Sequence, residues 1–207
     1  MRFDYIRDPA EIVARSFAQV SDADLAHVPE DLRGVARRLV HARGDPSILA
    51  GLRASPGAGA VGAAALAGGA TVLTDAAMVA AGIARARLPD SRVLCTLNLG
   101  GVAARAKRHG ITRSAAAVEL WRPWLGGAVV AIGNAPTALF RLLEGLIDED
   151  WPRPALIVGM PVGFVGAAEA KDALAEHATI PYVTLTGADG GSALAAAAIN
   201  AFAGEPA

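Results

Sequence analysis

The 207-residue chain has one cysteine, Cys95. That excludes a disulfide within the chain and a zinc site built from four thiolates. Cys95 falls in the apolar run 92–97 and reads as a buried, inert thiol. Lysine is nearly absent: Lys107 and Lys171 stand against 17 arginines. Planar guanidinium forks suit carboxylates better than point charges do, and a compositional bias explains the same count. Charge is scarce overall, at 19% with a net value of −1, so bulk charge attracts neither nucleic acid nor an anionic membrane. With 53% apolar residues, intrinsic disorder is excluded. No charge occurs between Arg53 and Asp75, a tract long enough for a bilayer. It is Ala/Gly-rich and interrupted by Pro56, Gly57, Gly59, Gly62, Gly68 and Gly69, so it does not read as a membrane span. The opening MRFDYIRDPAEI has charges at Arg2, Asp4, Arg7 and Asp8 and no apolar stretch; it does not read as a signal peptide, and the chain is expected in the cytoplasm. His27, His41, His109 and His177 are not at ligand spacing, so no metal site is expected.

What is present is a periodic pattern. Helices are expected over 9–20, with Asp8 as N-cap and Pro9 first, and over 29–41, where Leu32, Val35 and Leu39 form an apolar stripe ended by Gly44 and Pro46. A shorter helical piece is expected over 48–54. Short apolar runs at 70–73, 92–97, 128–132, 155–158 and 182–185 then alternate with helical stretches at 76–83, 99–108, 114–121, 136–147, 165–176 and 192–202. Strand, loop and helix repeated five times predict an α/β fold: a single domain over residues 1–207, with a mainly parallel five-stranded sheet, helices on both faces, and N-terminal helices. Ligands of such sheets bind at the carboxyl ends of the strands. The loops there should form one rim, where helix N-termini favour anions.

Several segments carry chemistry. GAGAVG at 57–62 matches the dinucleotide fingerprint in letters, but RASP precedes it rather than an obvious strand and no acidic residue follows at the required distance; a nucleotide site is not expected. His41 closes its helix off the apolar stripe. TRSAAAV at 112–118 has Thr112 as an N-cap and Arg113 against the helix dipole, which points either to an anionic partner or to simple exposure. IGNAPTALF at 132–140 reads as a strand end, an Asn134 N-cap, Pro136 and Thr137: good helix initiation, and equally a hydrogen-bond cradle. In PVGFVGAAEAK at 161–171, glycines around Phe164 permit close approach to a flat ligand; a plain turn with Phe164 tucked inward is the alternative.

Taken in order, YIRDPAEIVARSF, the His41-Ala pair after RRLV, LTDAAMVAAGI, TRSAAAV, IGNAPTALF, PVGFVGA and the final GGSA resemble the precorrin-8X methylmutase family. The resemblance implies an isomerase of cobalamin biosynthesis. It would shift a methyl group from C-11 to C-12 of precorrin-8X, giving hydrogenobyrinic acid, as a homodimer without cofactor; relatives act on the cobalt-containing ring. It further implies that His41 is the general acid. Arg15, Ser16, Arg113, Ser114, Asn134 and Thr137 would meet carboxylates and ring, and Met78, Gly82, Gly163, Phe164 and Val165 would wall the macrocycle. Asp189 stands in a stretch where that family often has an arginine, which implies that one carboxylate interaction is missing or reversed in sign. A corrinoid-binding protein without catalysis is the alternative.

Overall fold

The computed structural model describes residues 3–204; the first two and last three residues lie outside it. Six strands form one sheet: β1 (Leu52–Ala54), β2 (Val72–Thr74), β3 (Val93–Cys95), β4 (Val129–Ile132), β5 (Leu156–Gly159) and β6 (Tyr182–Leu185). Their order is β1-β6-β5-β4-β2-β3. From β3 to β6 the pairs are parallel, with Leu73 opposite Val130, Val130 opposite Ile157 and Ile157 opposite Tyr182. The chain has ten α-helices among the described residues: α1 (Pro9–Phe17), α2 (Arg33–Arg43), α3 (Ala58–Ala67), α4 (Ala77–Gly82), α5 (Val102–His109), α6 (Arg113–Val118), α7 (Arg122–Leu125), α8 (Pro136–Ile147), α9 (Ala167–His177) and α10 (Ser192–Phe202).

Alternation along the strands builds two cores. Val129, Ala131, Leu156 and Val158 face α2, α3, α4 and α10, packing with Leu39, Leu66, Val79 and Ile199. Val130, Ile132 and Ile157 face the other way, with Trp121, Leu139, Leu142 and Leu174. Because both faces are covered, each central strand is buried at every position, and the runs read as continuously apolar.

Local signals hold where they are purely local. Asp8 Oδ1 accepts from the Ala10 N–H at 2.9 Å ahead of Pro9. Leu32, Val35 and Leu39 are buried, and α2 ends at Gly44, whose φ of 75° is the left-handed conformation glycine adopts freely. Thr112 caps α6 through the Ala115 N–H at 3.1 Å. Cys95 is half-buried rather than buried.

Four expectations change. The sheet has a sixth strand: residues 46–51 form a 3₁₀ turn, and 52–54 pair antiparallel with β6, Leu52 opposite Leu185, at an edge. Three residues are too few to carry a period. The tract after Ser55 is a helix, α3, as its alanines favour. A strand therefore does precede the GAGAVG segment, yet the N-terminus of α3 is filled: Asp31 Oδ2 accepts from the N–H of Gly59 at 2.9 Å and Ala60 at 3.2 Å. A Cβ on Gly59 would lie 2.1 Å from the Asp31 carbonyl oxygen, so this glycine serves close packing of the chain. Finally, the cap residue of α8 is Ala135, not Asn134, and no side chain makes a capping hydrogen bond there. Among the described residues, no helix is long and apolar enough to cross a membrane.

Candidate active site

The strand order reverses between β2 and β4, the place where an open α/β sheet leaves a crevice at its carboxyl edge. Here Asp75 closes it. This residue directly follows β2, is 2% exposed, and accepts from the N–H groups of Gly133 (2.9 Å), Asn134 (3.0 Å) and Ala135 (2.7 Å). Burial pushes its carboxyl pKa above the usual range, and the three N–H bonds limit the rise. The donors expected to meet a ligand anion at this turn are thus spent on a protein carboxylate. Asp75 shapes the loop that carries Asn134 and Thr137.

Three rim loops pack against one another. Gly191 N–H donates to the Met160 carbonyl at 2.9 Å. A Cβ on Gly190 would meet the Met160 and Pro161 carbonyl oxygens at 2.4 Å, and one on Gly133 would meet Ala195 Cβ at 2.8 Å. The segments after β4, β5 and β6 therefore form one surface, and Gly163, Phe164 and Val165 project from it. Phe164 is fully exposed and Val165 nearly so, and the inward-tucked alternative does not hold. The glycines at 163 and 166 have φ of 140° and 79°.

The carboxyl end of α2 reaches this rim. α2 and α10 pack against each other; Gly34 and Arg37 share a surface cavity with Ala201 and Gly204, whereas Arg43 pairs with Asp189 just before α10. The two helices therefore run antiparallel, and the last turn of α2, which holds His41, sits at the start of α10. His41 Nδ1 is 2.6 Å from Ser16 Oγ, and the Phe17 ring meets the imidazole edge-on at 6.2 Å between centroids. Arg38 lies over that Phe17 ring. His41 is exposed.

The remaining residues fall around the same end or along its flanks. Thr137 Oγ1 shares a hydrogen bond with Thr112 Oγ1 at 2.8 Å. Arg113 donates to Asn98 Oδ1 at 3.0 Å and remains exposed; Ser114 beside it is half-buried, and Asn134 is exposed. Met78 is exposed on α4. Gly82, one turn on, faces α10: a Cβ there would lie 2.8 Å from Ala196 Cβ, and its carbonyl accepts from Asn200 Nδ2. Arg15 is engaged within α1 by Glu11 at 2.5 Å.

Sequence reasoning passed over Asp75, Arg43 and Lys171. Lys171 is 1% exposed and donates to the Asp189 main-chain carbonyl. Scarcity of lysine alone does not single it out, because Lys107 is exposed.

The family model described as CbiC, precorrin-8X methylmutase, matches residues 11–205. A precorrin-8X methylmutase of Pseudomonas aeruginosa is 56% identical over 98% of both chains. A cobalt-precorrin-8 methylmutase of Methanocaldococcus jannaschii is 35% identical over 92% of this chain and 87% of its own. The crystal structure of precorrin-8x methyl mutase from Thermus thermophilus superposes with a TM-score of 0.82 at 39% identity, covering 93% of this chain and 95% of that one. The chain belongs to the precorrin-8X methylmutase family of cobalamin biosynthesis, an isomerase family.

Proposed function

We propose that this protein converts precorrin-8X to hydrogenobyrinic acid by moving the C-11 methyl group to C-12. The observation that carries the reading is the Ser16–His41 pair at the rim. With Ser16 donating to Nδ1, a neutral imidazole holds its proton on Nε2 and presents it to the macrocycle as a general acid. One carbon–carbon bond breaks and another forms within the same molecule, so no acceptor or redox partner is required. An isomer has the same protons as its substrate; a proton given at one ring atom is taken back from another, and His41 serves both transfers. The rest of the work is orientation. Arg15, Ser16, Arg113, Ser114, Asn134 and Thr137 supply contacts to carboxylates and ring, and Met78, Gly82, Gly163, Phe164 and Val165 form the apolar wall.

The identities of 56% to a precorrin-8X enzyme and 35% to a cobalt-precorrin-8 enzyme favour the cobalt-free ring. The whole chain acts as one catalytic domain in the cytoplasm, without cofactor, and pairs as a homodimer. Supporting the dimer, α1 buries no residue in its own chain, and Phe3, Tyr5 and Ile12 are left exposed there.

The test is a titration with hydrogenobyrinic acid read by visible absorption, followed by turnover of precorrin-8X. A corrin spectrum that shifts and saturates at one ligand per chain supports the site. His41→Ala should lose turnover and keep most of its product affinity. No shift refutes the site, undiminished turnover by His41→Ala refutes His41 as the acid, and product binding without turnover in the wild type leaves a corrinoid-binding protein without catalysis.

A further inference from the structure

Two residues past His41, on the last turn of α2, Arg43 forms an ion pair with Asp189 at 3.1 Å; both side chains are half-exposed. The partners are unequal. Asp189 belongs to a loop that is tied down: its main-chain carbonyl accepts from the buried Lys171 ammonium, Gly190 is wedged against the carbonyls of Met160 and Pro161, and the Gly191 N–H is bonded to Met160. Arg43 is a long side chain at a helix end, and among the described residues one of its five donors is engaged, at one carboxylate oxygen. Asp45, nearby in sequence, spends both oxygens on Ser47. A cavity of about 380 Å³ opens beside the pair, between Ser47, Ile48 and Gly51 on one side and Thr186, Gly187 and Asp189 on the other. That volume takes a carboxymethyl or carboxyethyl arm with room to spare.

We propose that Arg43 is a ligand-binding residue, held by Asp189 in the free protein and transferred to a peripheral carboxylate of the macrocycle on binding. This rests on the corrin reading above. The transfer is possible because Asp189 does not lose all compensation: the Lys171 ammonium beneath it stays, and the two charges already feel each other. Burial pushes the Lys171 pKa down, and Asp189 and Asp172 hold it up. The exposed ion pair itself is weak, whereas a ligand carboxylate can meet the guanidinium with two parallel bonds.

The consequence is a difference of sign. If Asp189 competes with the ligand for Arg43, removing Arg43 weakens binding and removing the Asp189 charge strengthens it. If the pair only braces the loop, both changes weaken binding alike. The experiment is spectroscopic titration of wild type, Arg43→Gln, Asp189→Asn and the double variant with hydrogenobyrinic acid. Arg43→Gln should raise Kd by about tenfold. Asp189→Asn should lower it by about threefold, and the double variant should match Arg43→Gln. Equal weakening by both single changes overturns the proposal, as does wild-type affinity in Arg43→Gln. Absence of any spectral shift with the wild type is a separate outcome: it refutes the corrin reading itself and the proposal with it.

Discussion

Replacing Asp75 with alanine tests the central joint of the rim. The change deletes the acceptor of three backbone N–H groups at 2.7–3.0 Å. Gly133 and Ala135 are buried, while Asn134 is exposed, so two donors are stranded away from water and the third is rehydrated. Each stranded donor costs about 1–3 kcal/mol, which sets a gross loss of about 2–6 kcal/mol. Opposing this, the variant no longer has to desolvate a carboxylate, which is itself costly. A net destabilisation of about 3 kcal/mol follows. For a chain of this size that lowers Tm by about 6–12 °C. Circular dichroism melts and urea titrations of wild type and Asp75→Ala, at neutral pH, measure it. Asp75→Asn should lose a comparable amount, because its amide turns an NH₂ toward N–H groups that need an acceptor. Loop 133–137 should also shift, so product affinity and turnover fall with stability. An Asp75→Ala protein that melts within about 1 °C of wild type refutes the assignment of Asp75 as the joint that holds β4 and α8 to β2.

Three further outcomes follow from the same structure. Gly59→Ala drives a Cβ to 2.1 Å from the Asp31 carbonyl oxygen, against backbone that cannot swing away, and should cost about 1–3 kcal/mol in urea unfolding; an unchanged midpoint contradicts the close-packing role of that glycine. Phe164→Ser should leave the melting curve unchanged, since the ring is fully exposed, and should weaken hydrogenobyrinic acid binding in the spectroscopic titration. The Glu119 carboxyl is raised by burial but lowered more by its bonds to Arg105 and Arg141, and Glu149 is lowered by its bond to Arg141. In the acid range the unfolded chain therefore binds more protons at these groups, so their stabilisation is full above the ordinary glutamate pKa and is lost as pH falls through the depressed folded values. Arg141→Gln should flatten that acid limb of a Tm-versus-pH series; a limb as steep as in wild type counts against the Arg141 network.

Some features of the site were legible along the chain and others were not, for an identifiable reason. The caps by Asp8 and Thr112 and the glycine stop at Gly44 act over two to four residues, and each appears in the structure where the residues place it. Asn134 looked like a cap by the same local rule and is not one: α8 starts one residue later, and the turn before it is held by Asp75, 58 to 60 residues earlier in the chain, through the N–H groups of Gly133, Asn134 and Ala135. The helix-opening glycines at 57–62 looked like a phosphate loop without a strand. The strand exists, and the anion position belongs to Asp31, 28 residues upstream.

The α/β class, the five parallel strands, most helices and, through ordered motifs, the family were legible in the residues alone. These depend on periodicity, capping and motif order, which are written within short stretches of chain. That Ser16 meets His41 across 25 residues, that Asp75 fills the switch-point crevice, and that Arg43 rests on Asp189 across 146 is visible in the assembled fold alone. Such contacts exist only after the sheet has paired and α2 has packed antiparallel to α10. Which polar groups are left free for a ligand is therefore settled by what the fold has already consumed.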